Sequence, residues 1–89
     1  MYNHEVMPNL QKILNKLSKK DKSNYERVIN KIEEIINSSD VEHYKNLRHD
    51  LSDKKRVQIG HFVLVFKFEK STNTINFTDF DHHNIIYKK

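Results

Sequence analysis

Apolar residues recur at helical spacing in the first forty positions of the chain. Leu10, Ile13, Leu14 and Leu17 follow the i, i+3, i+4, i+7 pattern of a single helix face. The preceding Pro8 suits a first helical turn, where its missing N–H costs nothing. The sequence therefore predicts an amphipathic helix that begins at Pro8.

A second helix is predicted after a short polar break at 18–22. Ser23 and Glu26 form a capping-box pattern, in which each side chain satisfies a free backbone N–H at the start of a helix. Apolar residues then keep the helical period as far as Ile36, and the polar run 37–40 ends it. Because the break is short, the two helices are predicted to form an antiparallel hairpin.

The second half of the chain changes from helical spacing to alternation. A first alternating run, 57–59, is broken by Gly60 and His61. The next run, 62–66, is apolar at every position, which is typical of a central strand buried on both faces. After a turn at 70–73, a third strand is predicted from the alternation around 75–77.

Two further segments have less regular patterns. Phe80 lies one step out of the alternation set by Ile75 and Phe77, which predicts a bend, a bulge or the end of the strand. Residues 2–7 fit either an edge strand or an irregular arm. The order of elements predicts a single α+β domain over 1–89, with the helical hairpin on one face of a small sheet and the other face open.

Composition excludes several classes of protein. With 89 residues the chain has room for only one core, and no apolar run approaches the roughly 20 residues that span a bilayer. The first residues lack the basic and then apolar stretch of a secretory signal. The absence of cysteine excludes disulfides, thiolate zinc sites and cysteine nucleophiles. We therefore expect a cytoplasmic protein that does not associate with membranes.

Charge indicates a class of partner without deciding it. Lysine and arginine number 16 against 12 acidic residues, a formal net charge of +4, and five of the six histidines lie in 41–89. A basic, histidine-rich half favours a polyanion such as nucleic acid. The alternative is an ordinary solubilising surface.

Three groups of residues are candidates for chemistry. Arg48, Lys54, Lys55 and Arg56 lie at the entry to the first long strand, where guanidinium and ammonium groups suit phosphate. Because neighbouring residues in a strand point to opposite faces, this run is divided between the two faces of the sheet. A solvated loop is the alternative, and it is favoured for an isolated Lys-Lys-Arg run.

The second group, Asp79 to His83, places two carboxylates beside two imidazoles at the end of the last strand. Histidine exchanges protons near neutral pH, so His82 and His83 are candidates for proton transfer. The alternative is a polar loop whose histidines cap carbonyl groups. A zinc site is disfavoured, because adjacent histidines rarely chelate one ion and no ligand spacing supports it. The third candidate, Tyr87, suits stacking on a base or plain packing.

These segments resemble the RelE/ParE toxins of bacterial and archaeal toxin–antitoxin modules, and most closely the archaeal RelE-type branch. The resemblance covers residues 44–87 well and the helical hairpin only by pattern. It is carried by 44–48, 56–60, 62–66 and 79–87.

The resemblance implies a four-stranded, antiparallel-rich, microbial-RNase-like sheet whose first strand is 2–7. It also implies a metal-free endoribonuclease without cofactors that cuts mRNA on the ribosome by attack of a 2′-hydroxyl on the adjacent phosphate. A cognate antitoxin would silence it, and a toxin–antitoxin hetero-oligomer is the implied assembly.

The roles of individual residues follow from the same resemblance. Arg56 corresponds to a phosphate-binding, charge-stabilising residue of the family, and His82 and His83 to its late basic pair, which makes one of them a candidate general acid. Tyr87 corresponds to the C-terminal tyrosine that stacks on or orients substrate. RNA backbone contacts are implied for Arg48, Lys54 and Lys55.

Two departures from the family pattern bear on activity. Val63 stands where many members carry arginine, and His83 stands where arginine is commoner. A ParE-like protein that poisons DNA gyrase shares the fold and remains an alternative. A non-catalytic member that only binds its antitoxin is another.

Overall fold

The computed structural model describes residues 2–48 and 51–88, without the side chains of Arg48 and 51–53. The elements, in chain order, are β1 Asn3–Val6, α1 Pro8–Lys20, α2 Lys22–Ile36, a 3₁₀ turn Val41–His43, β2 Asn46–Arg48, β3 Leu51–Ile59, β4 Phe62–Glu69, a 3₁₀ turn Lys70–Thr72, β5 Thr74–His82 and α3 His83–Ile86. None of the helices in this part of the chain is long and apolar enough to cross a membrane.

The predicted helical hairpin is confirmed, but its connection differs from the predicted one. Pro8 is the first residue of α1. The break between the helices is the single residue Asp21, whose carboxylate accepts a hydrogen bond from the backbone N–H of Asn24 at 3.2 Å. The predicted capping box was wrong, because Asp21 rather than Ser23 caps α2 and Ser23 lies inside its first turn.

The sheet has five strands in the order β1-β5-β4-β3-β2. The edge strand β1 runs parallel to β5, and the other pairs are antiparallel. The α+β class is confirmed, whereas the expected count of four strands was one too low. The additional strand is β2, a three-residue segment that pairs with the beginning of β3.

The hairpin of β3 and β4 sets the register of the central strands. Gly60 and His61 form its two-residue loop, and Ile59 pairs with Phe62 across it. Gly60 has φ +62°, a conformation that glycine adopts without the steric cost that a side chain carries. The predicted break at this position is therefore a tight turn.

The irregularity predicted at Phe80 is a β-bulge that lies two residues earlier, at Thr78. Phe66 pairs with Phe77 and Val65 pairs with Asp79, so Thr78 is an extra residue in β5. The hydroxyl of Thr78 donates to the carbonyl oxygen of Val65 at 3.3 Å. The bulge returns Phe80 to the core and lets the strand continue to His82.

The main core lies between the helical hairpin and one face of the sheet. The opposite face, called the open face below, was expected to be uncovered, but α3 packs across part of it. Ile86 is buried there against Val63 and Val65, while its neighbour Ile85 is 45% exposed. The side chains of the main core are Leu10, Leu14, Val28, Ile32, Ile35, Ile36, Val41, Ile59, Leu64, Phe66, Ile75, Phe77 and Phe80.

Candidate nucleic-acid interface

Alternation along β3 divides its basic run between the two faces of the sheet. Ile59 and Lys55 are buried on the side of the helices, so Lys54 and Arg56 lie on the open face. Arg56 pairs with Val65, and Lys54 pairs with Lys67 on β4. The same register puts Glu69, Asp79 and Asp81 on the open face, so cationic and acidic side chains lie together beside the part that α3 covers.

Arg56 is in contact with the predicted aromatic residue. Its guanidinium carbon lies 6.0 Å from the centroid of the Tyr87 ring, which is within the range of a cation–π interaction. Tyr87 reaches this position because it ends α3, where its backbone N–H donates to the carbonyl oxygen of His83 at 3.1 Å. The structure therefore brings together two residues that lie 31 positions apart in the sequence.

Lys55 has a different environment from its neighbours. Its ammonium donates hydrogen bonds to the carbonyl oxygens of Glu42 and Tyr44, each at 3.2 Å, and to Oδ1 of Asn46 at 3.1 Å. With 8% of its surface exposed, the side chain is bound inside the protein. The phosphate contact predicted for Lys55 finds no support in this geometry, whereas Lys54 is exposed on the open face.

Arg48, the remaining predicted phosphate ligand, belongs to β2 by its backbone. Its side chain lies outside the described part of the structure, so its predicted contact stays a prediction.

The histidines form a separate cluster at the end of β5. The rings of His82 and His83 stack with centroids 4.5 Å apart, and the His61 ring stacks on His82 at 6.2 Å. Neighbouring residues in a strand point in opposite directions. His82 and His83 stack instead because the chain turns into α3 at His83.

Hydrogen bonds at Nδ1 determine which ring nitrogen carries the proton in neutral His82 and in neutral His83. Nδ1 of His82 accepts from the backbone N–H of Asn84 at 3.2 Å, so the proton of the neutral ring is on Nε2. Nδ1 of His83 lies 3.1 Å from the carbonyl oxygen of His61 and donates to it, which leaves Nε2 without a proton in the neutral ring. The pair thus offers one donor nitrogen and one acceptor nitrogen.

The predicted catalytic residues consequently fall into two groups. His82 pairs with Phe62 on β4. Arg56 pairs with Val65, which lies three residues further along the same strand. Sheet geometry places these backbone positions about 10 Å apart along the strands and about 10 Å apart across them. The short helix α3 joins the groups, since His83 begins it and Tyr87 follows its last residue.

Comparison with known proteins identifies the family. The chain is 53% identical over 90 aligned positions to a protein of Methanocaldococcus jannaschii named "Putative toxin RelE4", with 100% of this chain and 94% of that protein covered. The chain belongs to the RelE family of toxins. It is also 36% identical to an "Uncharacterized protein" of Methanosarcina mazei, over 98% of this chain and 100% of the relative.

A solved structure shares the RelE-type fold. It is the solution structure of the conserved hypothetical protein HP0892 from Helicobacter pylori, with a TM-score of 0.59 and 24% identity over 94% of this chain and 97% of that one. No family model matches the chain.

In this RelE-family chain, Val63 has a clear structural place. It is buried on the open face beneath Ile86, next to Val65. The position where many family members carry arginine is here part of the apolar surface on which α3 lies. Cationic side chains on the open face are found further along, at Arg56, Lys54 and Lys67.

Lys67 is the candidate residue that sequence reasoning missed. Two-residue loops between alternating strands fix which residues face each other, so the Gly60-His61 loop already indicated that Lys67 lies opposite Lys54.

A groove on the other side of the molecule contains none of the predicted site residues. It has a volume of about 400 Å³ and lies between α2 and the end of β3, where Arg27, Lys31, Glu34, Gln58 and Gly60 line it. Within the described residues, no three histidine, aspartate or glutamate side chains come together as a metal site.

Proposed function

We propose that this RelE-family toxin is an endoribonuclease that cuts mRNA on the ribosome and thereby inhibits translation. The observation that supports this proposal most directly is the contact between Arg56 and Tyr87 on the open face. A guanidinium that binds phosphate and an exposed ring that stacks on a base are the two parts that recognition of single-stranded RNA needs.

The proposed reaction is attack of a ribose 2′-hydroxyl on the adjacent phosphate. The 2′-oxygen forms a bond to phosphorus, the bond to the 5′-oxygen breaks, and the products are a cyclic phosphate and a free 5′-hydroxyl. Arg56 stabilises the negative charge that accumulates on the phosphate oxygens, and Tyr87 orients the neighbouring base. One proton leaves the 2′-hydroxyl and one reaches the 5′-oxygen, so a base and an acid are both needed.

The two histidines supply suitable groups for these proton transfers. In its neutral ring, Nε2 of His83 can accept the proton of the 2′-hydroxyl. The proton for the 5′-oxygen has to come from an imidazolium, and His82 supplies it only with both ring nitrogens protonated, which breaks the hydrogen bond that its Nδ1 accepts from Asn84. The pair lies at the far end of α3 from Arg56, so the substrate has to span this four-residue helix to contact both groups.

The proposed partner is a cognate antitoxin that covers Arg56 or His83 in a toxin–antitoxin hetero-oligomer. Coverage of either residue would block substrate. A substrate on the ribosome also places the protein in the cytoplasm. Protection of at least one of these residues in a co-purified complex is the expected result, and free exposure of both would contradict this mode of inhibition.

The decisive experiment is translation in a purified system followed by primer extension on the mRNA. The wild type is expected to produce cuts that require ribosomes, and Arg56→Ala is expected to abolish them. Lys16→Ala, which removes an exposed charge from α1, is the matched control and should cut normally. Intact mRNA and unimpaired translation with the wild type would contradict the proposal.

One observation favours a non-catalytic candidate, of which the ParE-like gyrase poison is the example that can be tested directly. Both histidines use Nδ1 for hydrogen bonds that hold the start of α3, as a purely structural pair would. A gyrase supercoiling assay separates the candidates, because inhibition there with intact mRNA identifies the binder and the reverse identifies the nuclease.

A further inference from the structure

We propose that proton uptake by His82 loosens the helix α3, so that pH controls how firmly this helix covers the open face. The inference goes beyond the proposed function, because it concerns the cover of the open face and requires no RNA. It gives His82 a positioning role that is separate from proton transfer to a substrate.

His82 is the N-cap residue of α3, and its cap is a ring nitrogen. The backbone N–H of Asn84 donates to Nδ1 of His82 at 3.2 Å. Nδ1 can accept this hydrogen bond only in the neutral ring, because both nitrogens of an imidazolium are donors. A proton on Nδ1 therefore sets one donor against another, and the first turn of α3 loses its cap.

The neighbouring His83 responds to a proton differently. Its Nδ1 lies 3.1 Å from the carbonyl oxygen of His61 and donates to it, so a second proton goes to Nε2 and leaves this bond in place. The backbone N–H of His83 donates to the same carbonyl oxygen at 2.9 Å. Of these hydrogen bonds at the start of α3, the one to Nδ1 of His82 is the one that requires a neutral ring.

Other aromatic rings surround the His82 ring on three sides. The His83 ring of α3 stacks on it with centroids 4.5 Å apart, and the His61 ring from the loop at 60–61 stacks at 6.2 Å. From β4, the ring of Phe62 meets it edge-on at 5.8 Å. Because histidine side chains change charge between about pH 5 and 8, a test of the switch has to separate the three histidines.

Groups of fixed charge also lie at this end of the sheet. Oδ1 of Asp81 accepts the backbone N–H of His82 at 2.8 Å, and Asp79 lies two positions earlier on the same face. On the side of the helices, the Arg27 guanidinium of α2 lies beside Gly60. Guanidinium groups only donate hydrogen bonds, and Oδ1 of Asp81 is already bonded, so neither group replaces the lost acceptor.

Loosening at the start of α3 reaches its other end, because the helix has only four residues. The backbone N–H of Tyr87 donates to the carbonyl oxygen of His83 at 3.1 Å, and the Tyr87 ring lies 6.0 Å from the Arg56 guanidinium. Ile86 is buried against β4 between them. The cover is therefore firmest while His82 is neutral, and it weakens as the pH falls, which makes Arg56 accessible.

Solvent exchange measured by NMR tests this inference on the protein alone. The quantity is the protection factor of the Tyr87 amide, which compares its exchange rate with that of an unstructured peptide at the same pH. In the wild type it should fall about fivefold between about pH 8 and pH 5, as expected for the loss of an N-cap acceptor. The amide of Ile32 in the middle of α2 reports the rest of the fold and should keep its protection.

Replacement of single histidines by asparagine separates their roles. In His82→Asn, the amide Oδ1 takes the place of Nδ1 and does not titrate, and asparagine is among the best N-cap residues. Protection of the Tyr87 amide should then stay high throughout the pH range. His82→Ala removes the acceptor and should lower protection about fivefold at every pH.

His83→Asn and His61→Asn are the matched controls. Asparagine at position 83 can still donate to the carbonyl oxygen of His61, and His61→Asn keeps that carbonyl while it removes the ring. Both variants retain the titrating cap at His82. The Tyr87 amide should therefore lose protection with falling pH in both, as it does in the wild type.

The outcomes are distinct from those of the translation experiment. A protection factor of Tyr87 that does not change with pH in the wild type would overturn the switch, as would an equal loss in wild type and His82→Asn. A loss that disappears in His83→Asn or His61→Asn instead would also overturn it. If the switch is observed but no mRNA is cut, the nuclease is contradicted and the pH-dependent cover stands.

Discussion

Lys55 and Arg56 are neighbours in the chain, yet their side chains lie on opposite faces of the sheet. The ammonium of Lys55 is enclosed by oxygens of Glu42, Tyr44 and Asn46, whereas the guanidinium of Arg56 contacts Tyr87. Lys55 and Arg56, which form one basic run in the sequence, thus have different roles in the structure. Lys55 holds the segment that leads into β2, and Arg56 belongs to the proposed RNA-binding face.

Replacement of Lys55 is expected to affect stability. Lys55→Met leaves three acceptors without their donor, and each hydrogen bond from a charged group is worth about 1.5–3 kcal/mol at most. We expect the free energy of unfolding in urea to fall by about 1–3 kcal/mol. Lys54→Met, one residue away and exposed, is the control and should change it by less than about 0.5 kcal/mol. Equal effects of the two substitutions would contradict the structural role of Lys55.

The packing of α3 on the sheet can be tested with a second matched pair of substitutions. Ile86→Ala removes a side chain that is 2% exposed and packed on Val63 and Val65, whereas Ile85→Ala alters a side chain that is already half in solvent. Truncation of a buried isoleucine lowers the free energy of unfolding by about 2–5 kcal/mol. That loss exceeds the stability that a four-residue helix can have on the sheet. We expect α3 to leave the sheet in Ile86→Ala and RNA cleavage to fall with it.

Hydrogen exchange at the backbone amide of Tyr87 reports this release directly, because that amide is bonded to His83 within the helix. Exchange should accelerate in Ile86→Ala and stay as in the wild type in Ile85→Ala. Unchanged exchange in both variants would show that Ile86 does not hold α3 in place.

Tyr87 is expected to act through its ring. Tyr87→Phe keeps a ring over the Arg56 guanidinium and should bind a single-stranded RNA with 2′-O-methyl riboses, which the proposed reaction cannot cleave, nearly as the wild type does. Tyr87→Ala removes the stacking surface and should weaken binding by about 1–3 kcal/mol, or roughly 5- to 150-fold. Anisotropy titrations measure both. If the phenylalanine variant binds as weakly as the alanine variant, the hydroxyl rather than the ring carries the interaction.

The surroundings of Tyr44 predict how the stability of the fold changes with pH. Burial raises the pKa of its phenol above the ordinary value of 10.0, Glu34 raises it further, and Lys31 lowers it. The folded state therefore keeps the proton to higher pH than the unfolded state does. The stability that this provides is complete below pH 10.0 and is lost as the pH rises through the raised pKa.

Urea denaturation at a series of alkaline pH values, compared with Tyr44→Phe, measures this contribution. The difference in unfolding free energy between wild type and variant should be constant below pH 10.0 and should shrink above it. A difference that grows above that pH would mean that the phenolate, not the phenol, is favoured by the fold.

The sequence was sufficient for much of the fold because its patterns are local. Helical spacing predicted α1 and α2, and the displaced position of Phe80 predicted the irregularity that is now seen as the Thr78 bulge. The strand β2 was not predicted, since three residues hold no recognisable period and their pairing depends on the hydrogen bonds of Lys55.

The candidate site was harder to predict than the fold. The contact between Arg56 and Tyr87 depends on how a four-residue helix lies on the sheet, and so short a helix has no periodic signal. The same helix explains why Val63 is apolar in this chain. The register of Lys54 and Lys67, in contrast, follows from the loop at Gly60 and could have been predicted.

The parallel pairing of the first and last strands has a consequence for synthesis. Asn3 to Val6 align with Thr74 to Phe77, so β1 cannot pair with β5 until residue 77 has been synthesised. The helical hairpin involves only nearby residues and can form earlier in translation. Because Tyr87 comes later still, its contact with Arg56 can form only after residue 87 has been synthesised. The pairing that completes the sheet and the contact at the proposed site therefore both come after the helical hairpin.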